Sequence, residues 1–248
     1  MFENNLQFGL IGYGKMGKVR YETLNQMQEC AVHTVYEYNG EITTPDNLKR
    51  IKSPEELIAS NEIDAVVISV PNYLIKPYVI ACLEAGKHVF CEKPPGINLS
   101  EVLAMKEAVV KSGFKLMFGF NLRHHQSTIK AKEVVDSGRF GEILWMRGRY
   151  GKSVPENFFK DWRSQKKLAG GGIFLDQGIH MLDLFMHLVG KFDEVKSFVS
   201  NLYWKGDVED NVFALFKNKK GQVASLHSTM TQWRHLFSLE IFMEQGYI

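Results

Sequence analysis

LQFGLIGYGKMGKVRYETLNQMQ, residues 6–28, runs from a short apolar segment through three glycines into a longer amphipathic one. Six mainly apolar residues followed by a helix-length segment predict a β-strand, a tight turn and an α-helix. Gly12, Gly14 and Gly17 have GxGxxG spacing, with Tyr13, Lys15 and Met16 between them. Between a strand and a helix, each glycine has its own task. The first permits the tight turn, the second lets backbone approach a pyrophosphate, and the third lets the helix pack close to the strand. The phosphates would be held at the helix N-terminus, where backbone N–H groups lack intrahelical partners. The stretch therefore predicts a dinucleotide-binding turn near the start of an α/β chain.

The same rhythm continues outward. VHTVYEY, DAVVISV, KHVFCE and FKLMFGF alternate with helical patterns such as KPYVIACLEAG and SEVLAMKEAVVKSG. This alternation predicts a parallel sheet with helices on both faces, and AVVISV is apolar throughout, as strands covered on both sides are. Ser53-Pro54-Glu55-Glu56 predicts a helix start, and Gly86 and Gly113 predict left-handed helix stops. After about residue 121 the pattern changes. One helix (STIKAKEVVDSG) and one strand (EILWMRGRY) lead to a helix near 173–189, then to four strand-like stretches with partial alternation. These predict an open, mainly antiparallel sheet. The expected division is 1–121, an α/β nucleotide-binding domain, and 122–248, an α+β domain. The end at EQGYI, directly after a strand-like stretch, is consistent with a fragment or shortened form.

Composition narrows the partners. The 248 residues carry 30 Lys and Arg against 28 Asp and Glu, a net charge of +2, so nothing global attracts nucleic acid or an anionic membrane. A small molecule is the expected partner. The three cysteines are odd in number and lie in apolar surroundings, which suits reduced core thiols and a cytoplasmic location. The N-terminus lacks a signal-peptide pattern, and no apolar run is long enough to span a bilayer.

Several polar residues fall at predicted strand ends, where open α/β sheets bind ligands. Glu37 lies twenty residues beyond Gly17, placed to bond the adenosine ribose hydroxyls and to repel a 2′-phosphate, favouring NAD over NADP. Lys49 and Arg50 nearby temper that preference. Val70-Pro71-Asn72 closes one strand, and Cys91-Glu92-Lys93-Pro94-Pro95 closes another, with the prolines stiffening a turn that presents Lys93.

Downstream, GGGIFLDQGIHMLD (residues 170–183) places Asp176, His180 and Asp183 at i, i+4 and i+7, on one face of a helix. Histidine titrates near neutrality and suits proton removal from an alcohol, and flanking carboxylates would raise its basicity and orient its ring. The glycines would let the entering loop approach a ligand. A packed core histidine and a metal ligand are competing readings, and a metal would need further ligands than the sequence supplies nearby.

Taken together, GYGKMG, LEAGKHVFCEKP, GFNLRHH, SGRFGEI, DWRSQKKLAGGG and DQGIHMLD resemble the Gfo/Idh/MocA family of NAD(P)-dependent oxidoreductases, which includes glucose-fructose oxidoreductase and inositol dehydrogenase. The resemblance covers nearly the whole chain, and EKP followed far downstream by DxGxH is its specific part. It implies a doubly wound Rossmann domain, then a substrate-binding and oligomerisation domain with an open sheet, assembled as a dimer or tetramer. It implies hydride transfer between NAD and a secondary alcohol of a sugar, nucleotide sugar or cyclitol. Lys93, Asp176 and His180 match the catalytic residues; Arg123, Trp162 and Arg163 match positions lining the sugar site. Ile75 departs from the pattern, standing where many members have histidine. The alternative, from another class, is a non-catalytic dinucleotide-binding regulator, against which retention of Lys93, Asp176 and His180 argues.

Overall fold

The computed structural model describes residues 5–248, apart from the side chain of Glu156. The chain forms two compact units that meet in sequence between Gly119 and Phe120.

In the first unit the elements are β1 (Leu6–Ile11), α1 (Lys15–Leu24), β2 (Cys30–Tyr36), β3 (Lys49–Arg50), α2 (Pro54–Ala59), β4 (Ala65–Ile68), α3 (Ile75–Glu84), β5 (His88–Cys91), α4 (Leu99–Ser112) and β6 (Leu116–Phe118). All six strands are parallel, in the order β3-β2-β1-β4-β5-β6. The direction of winding reverses between β1 and β4, which opens a crevice beyond their carboxyl ends. The reason for the unbroken apolar strands is visible in the core. Leu10 and Val67 pack with Tyr21, Val32 and Val35 on one face, while Ile11, Val66 and Ile68 pack with Val79, Cys82, Leu83 and Met105 on the other. Every residue of β4 is buried, each large side chain contributing about 1.5–3 kcal/mol by leaving water. The predicted helix signals hold: Ser53 Oγ accepts from the Glu56 N–H at 3.3 Å, and Gly113, at φ 74°, closes α4.

The cysteines are thiols, and burial pushes that of Cys82 up to about 12, which removes the reactive thiolate at neutral pH. Among the described residues, no helix is long and apolar enough to cross a membrane.

The second unit contains α5 (Gln126–Asp136), β7 (Ile143–Gly151), α6 (Lys166–Ala169), α7 (Ile179–Val189), β8 (Glu194–Ser200), β9 (Asn211–Lys217), β10 (Val223–Thr229), β11 (Leu236–Met243) and β12 (Gly246–Tyr247). The sheet order is β12-β11-β7-β10-β9-β8. It is mainly antiparallel, as expected, but β7 and β10 pair in parallel. A long intervening segment lets the chain return in the same direction, which a hairpin cannot do. Val212, Ala214 and Phe216 of β9 and Ala224 and Leu226 of β10 join Met181 and Phe185 of α7 in the core. Alternate residues such as Phe213 and Leu215 face outward, about half exposed.

Candidate active site

In the first unit the glycine-rich turn is built from backbone. Gly12 has φ 95°, and a Cβ added there would lie 2.3 Å from the Ser69 carbonyl oxygen. A Cβ on Gly17 would lie 2.2 Å from the Gly12 carbonyl oxygen, so α1 could not pack this closely with any larger residue. Gly14 differs: its Cβ direction meets nothing within 4 Å. That open space adjoins the start of α1, which has neither a side-chain cap nor an acidic residue in its first turn among the described residues. Ser69 Oγ is buried near the turn without a hydrogen-bond partner among the described residues. Open space, uncapped N–H groups and an unsatisfied hydroxyl suit a bound pyrophosphate. Lys15 and Met16 are exposed on the first turn, whereas Tyr13 is buried against Tyr21.

Glu37 follows β2 and is only 6% exposed. One carboxylate oxygen accepts the Tyr13 N–H at 2.6 Å and the other the Asn39 N–H at 2.9 Å. These bonds clamp the acid beside the glycine turn and leave further lone pairs for ribose hydroxyls. Arg50 does lie nearby, but its guanidinium donates to the carbonyls of Glu37, Asn39 and Ile42. Three of its five donors go to backbone, while the Glu37 carboxylate favours an unphosphorylated ribose.

Val70, Pro71 and Asn72 follow β4 at the sheet's carboxyl edge, all partly buried. Ile75, the departure from the family pattern, is packed in the core at 1% exposure. Glu92 follows β5 and is held by Arg20 of α1, whose Nε donates at 2.7 Å. Arg20 also lies over the Phe90 ring. Sequence reading did not find this pair, whose members are far apart in the chain. It anchors the residue immediately before Lys93, which is partly buried and joined to Pro94 by a cis peptide.

In the second unit, residues Phe174–Gly178 form a π-helical turn that runs into α7. Such wide turns often mark functional sites. His180 is 7% exposed, with its ring 5.9 Å from that of Phe120 and 6.3 Å from that of Tyr150. Asp176 pairs with Lys152, which follows β7. Burial, with the Asp176 charge added, pushes the Tyr150 phenol above its usual range. Asp183, three positions on from His180, is held by a cation. Both its oxygens are engaged by Arg123, from Nε at 2.7 Å and from Nη2 at 2.5 Å, because the turn at Asn121–His124 reaches α7 here. The glycines before the helix also have structural tasks. Gly170 ends α6 at φ 85°, and a Cβ on Gly172 would meet the Glu209 carbonyl oxygen at 2.2 Å. Glu209 in turn accepts the N–H groups of Gly172 and Phe174, fixing the entry to the π turn.

Trp162 and Arg163 lie on a short 3₁₀ turn, with the guanidinium 4.4 Å from the indole centroid and bonded to Asp161. Lys152, Tyr150 and Glu209 went unnoticed in the sequence, since no spacing rule links them to the DQGIH segment.

A doubly wound parallel sheet with an open glycine turn, followed by a unit with a mixed sheet and a buried helical histidine, defines an NAD-binding oxidoreductase of two units. Residues 6–120 match the oxidoreductase family with an NAD-binding Rossmann fold, and residues 128–248 match the Gfo/Idh/MocA C-terminal domain. The chain belongs to the Gfo/Idh/MocA family. It is 30% identical to levoglucosan dehydrogenase of Pseudarthrobacter phenanthrenivorans, over 91% of this chain and 67% of that protein. It is 28% identical to myo-inositol 2-dehydrogenase of Thermotoga maritima, over 98% of this chain and 74% of that protein. A solved levoglucosan dehydrogenase in complex with NADH and levoglucosan superimposes with a TM-score of 0.89 at 30% identity, covering 99% of this chain and 73% of that one.

Proposed function

We propose that the protein catalyses reversible oxidation of a secondary alcohol on a sugar, nucleotide sugar or cyclitol, with NAD as cofactor. Bound NAD would supply the hydride acceptor. His180 takes the hydroxyl proton, Lys93 stabilises the developing alkoxide, and Asp176 orients the acid–base group by hydrogen bonding. Arg123, Trp162 and Arg163 contribute to sugar binding, the last two as a cation–π pair with donors facing solvent. The first unit, with Gly12 to Gly17, Glu37, Val70 to Asn72 and Glu92, serves the cofactor; the second serves the substrate. The observation that carries this reading is His180, an imidazole buried at 7% exposure beside the rings of Phe120 and Tyr150, on the helix that the π turn bearing Asp176 leads into. The similarity to sugar and cyclitol dehydrogenases supports the substrate class.

The outward face of the second unit's sheet exposes Phe198, Phe213 and Leu215, which supports self-association as a dimer or tetramer through that face. A cytoplasmic location accords with three thiols that form no disulfide. The test is a panel of sugars and inositols with NAD, followed by reduced-nicotinamide absorbance. Turnover of at least one polyol is expected; tight NAD binding without turnover on any of them would overturn the enzymatic reading.

A further inference from the structure

The crevice of the first unit lies beyond β1 and β4, where the winding reverses. α1 follows β1 on one side of it, whereas Glu92 closes β5 on the other. Arg20 crosses between them. Its Nε donates to Glu92 Oε1 at 2.7 Å, and its Nη2 lies 2.6 Å from the same oxygen. Its guanidinium also lies 4.9 Å from the ring centroid of Phe90, on β5 itself. The two charged side chains are only 20% and 11% exposed, so water and salt screen them less than a surface ion pair. Gly119 leaves room for them: an added Cβ there would lie 3.1 Å from Glu92 Oε2 and 3.3 Å from Arg20 Nη2. The main chain of this corner is pinned by the sheet, since the Glu92 N–H donates to the Ile68 carbonyl at 2.9 Å and the Gly119 N–H to the Cys91 carbonyl at 2.8 Å. What Arg20 adds is the direction of the Glu92 side chain.

Arg20 lies three residues beyond Gly17, so both belong to the face of α1 turned toward the glycine turn. The helix whose first turn suits a pyrophosphate thus also holds, one turn further along, a carboxylate at the end of β5. We propose that Arg20 is a positioning residue for the cofactor: through Glu92 it fixes the nicotinamide riboside half of NAD relative to the pyrophosphate seat at α1. This rests on the reading of Glu92 as a residue that serves the cofactor. A carboxylate offers about four lone-pair sites, and Arg20 takes up only part of them, so acceptors remain for a ribose hydroxyl. A neutral side chain at position 20 would leave the Glu92 carboxylate free to turn away from that hydroxyl.

The experiment is isothermal titration calorimetry of the intact protein with NAD and, separately, with ADP, which carries the adenosine and pyrophosphate without the nicotinamide riboside. Arg20→Met is expected to weaken NAD about tenfold, the scale of one hydrogen bond to a charged group, and to leave ADP affinity unchanged. Glu92→Ala should do the same, and Arg20→Met added to Glu92→Ala should cost nothing more, since Arg20 then has no carboxylate to aim. Should the unpaired buried carboxylate keep Arg20→Met from folding, Glu92→Ala beside the double variant still decides the matter, because neither retains that carboxylate. Wild-type NAD affinity in Arg20→Met, an equal loss of ADP and NAD, or a further fall in the double variant overturns the proposal and leaves the role of Glu92 standing. Wild-type NAD affinity in Glu92→Ala overturns that parent reading and the proposal with it. None of these outcomes depends on turnover.

Discussion

The two units carry polar sites of opposite construction. In the first, the predicted cofactor turn is made of main chain: three glycines, the uncapped start of α1, and Glu37 held by two backbone N–H groups. In the second, the histidine helix depends on side chains brought from elsewhere. Asp176 meets Lys152 across 24 positions, and Asp183 meets Arg123 across 60. A backbone site is rigid from the moment its turn forms, and substitution within it costs folding. A side-chain site tolerates substitution structurally and loses chemistry instead.

The largest effect that would sharpen this contrast is His180→Ala. Turnover should fall by about two to four decades while NAD affinity is unchanged, measured by steady-state kinetics beside a binding titration. Loss of NAD affinity in that variant would break the division of labour. Gly17→Ala should do the reverse, destabilising the first unit by about 3 kcal/mol in denaturant unfolding, because its Cβ meets carbonyl oxygen rather than a flexible side chain. Unchanged stability there would show that α1 can slide away from the turn. Glu37→Ala should weaken NAD binding by roughly 10- to 100-fold, the worth of about one hydrogen bond to a charged group, and narrow the gap between NAD and NADP. The smallest expected change is in Ser53→Ala, which removes the cap of α2, distant in sequence from both sites, and should cost about 1 kcal/mol with no effect on kcat.

Much of this was legible beforehand, for local reasons. Leu6–Ile11 reads as a strand because its residues are apolar, and GYGKMG reads as a turn because glycine alone allows φ 95° at Gly12 and the contact at Gly17. Ser53 and Gly113 mark helix ends through bonds and dihedrals within a few residues. The parallel β7–β10 pairing was hidden, since alternation reports which residues face the core and says nothing of strand direction. The reading of the DQGIH spacing assumed a uniform α-helical twist, which the π turn at Phe174–Gly178 alters. Arg123 matched a position for sugar binding, and its engagement with Asp183 could be learned only from the fold.

By itself the sequence determined the order of strands and helices, the glycine turn and the candidates Lys93, Asp176 and His180, because propensity, periodicity and glycine's missing side chain act over a few residues. The tertiary structure alone decided which cation answers which carboxylate, that Arg20 anchors Glu92, and that Lys152 stands at Asp176. Charges pair by distance in space, and distance in space is fixed only when the sheets close.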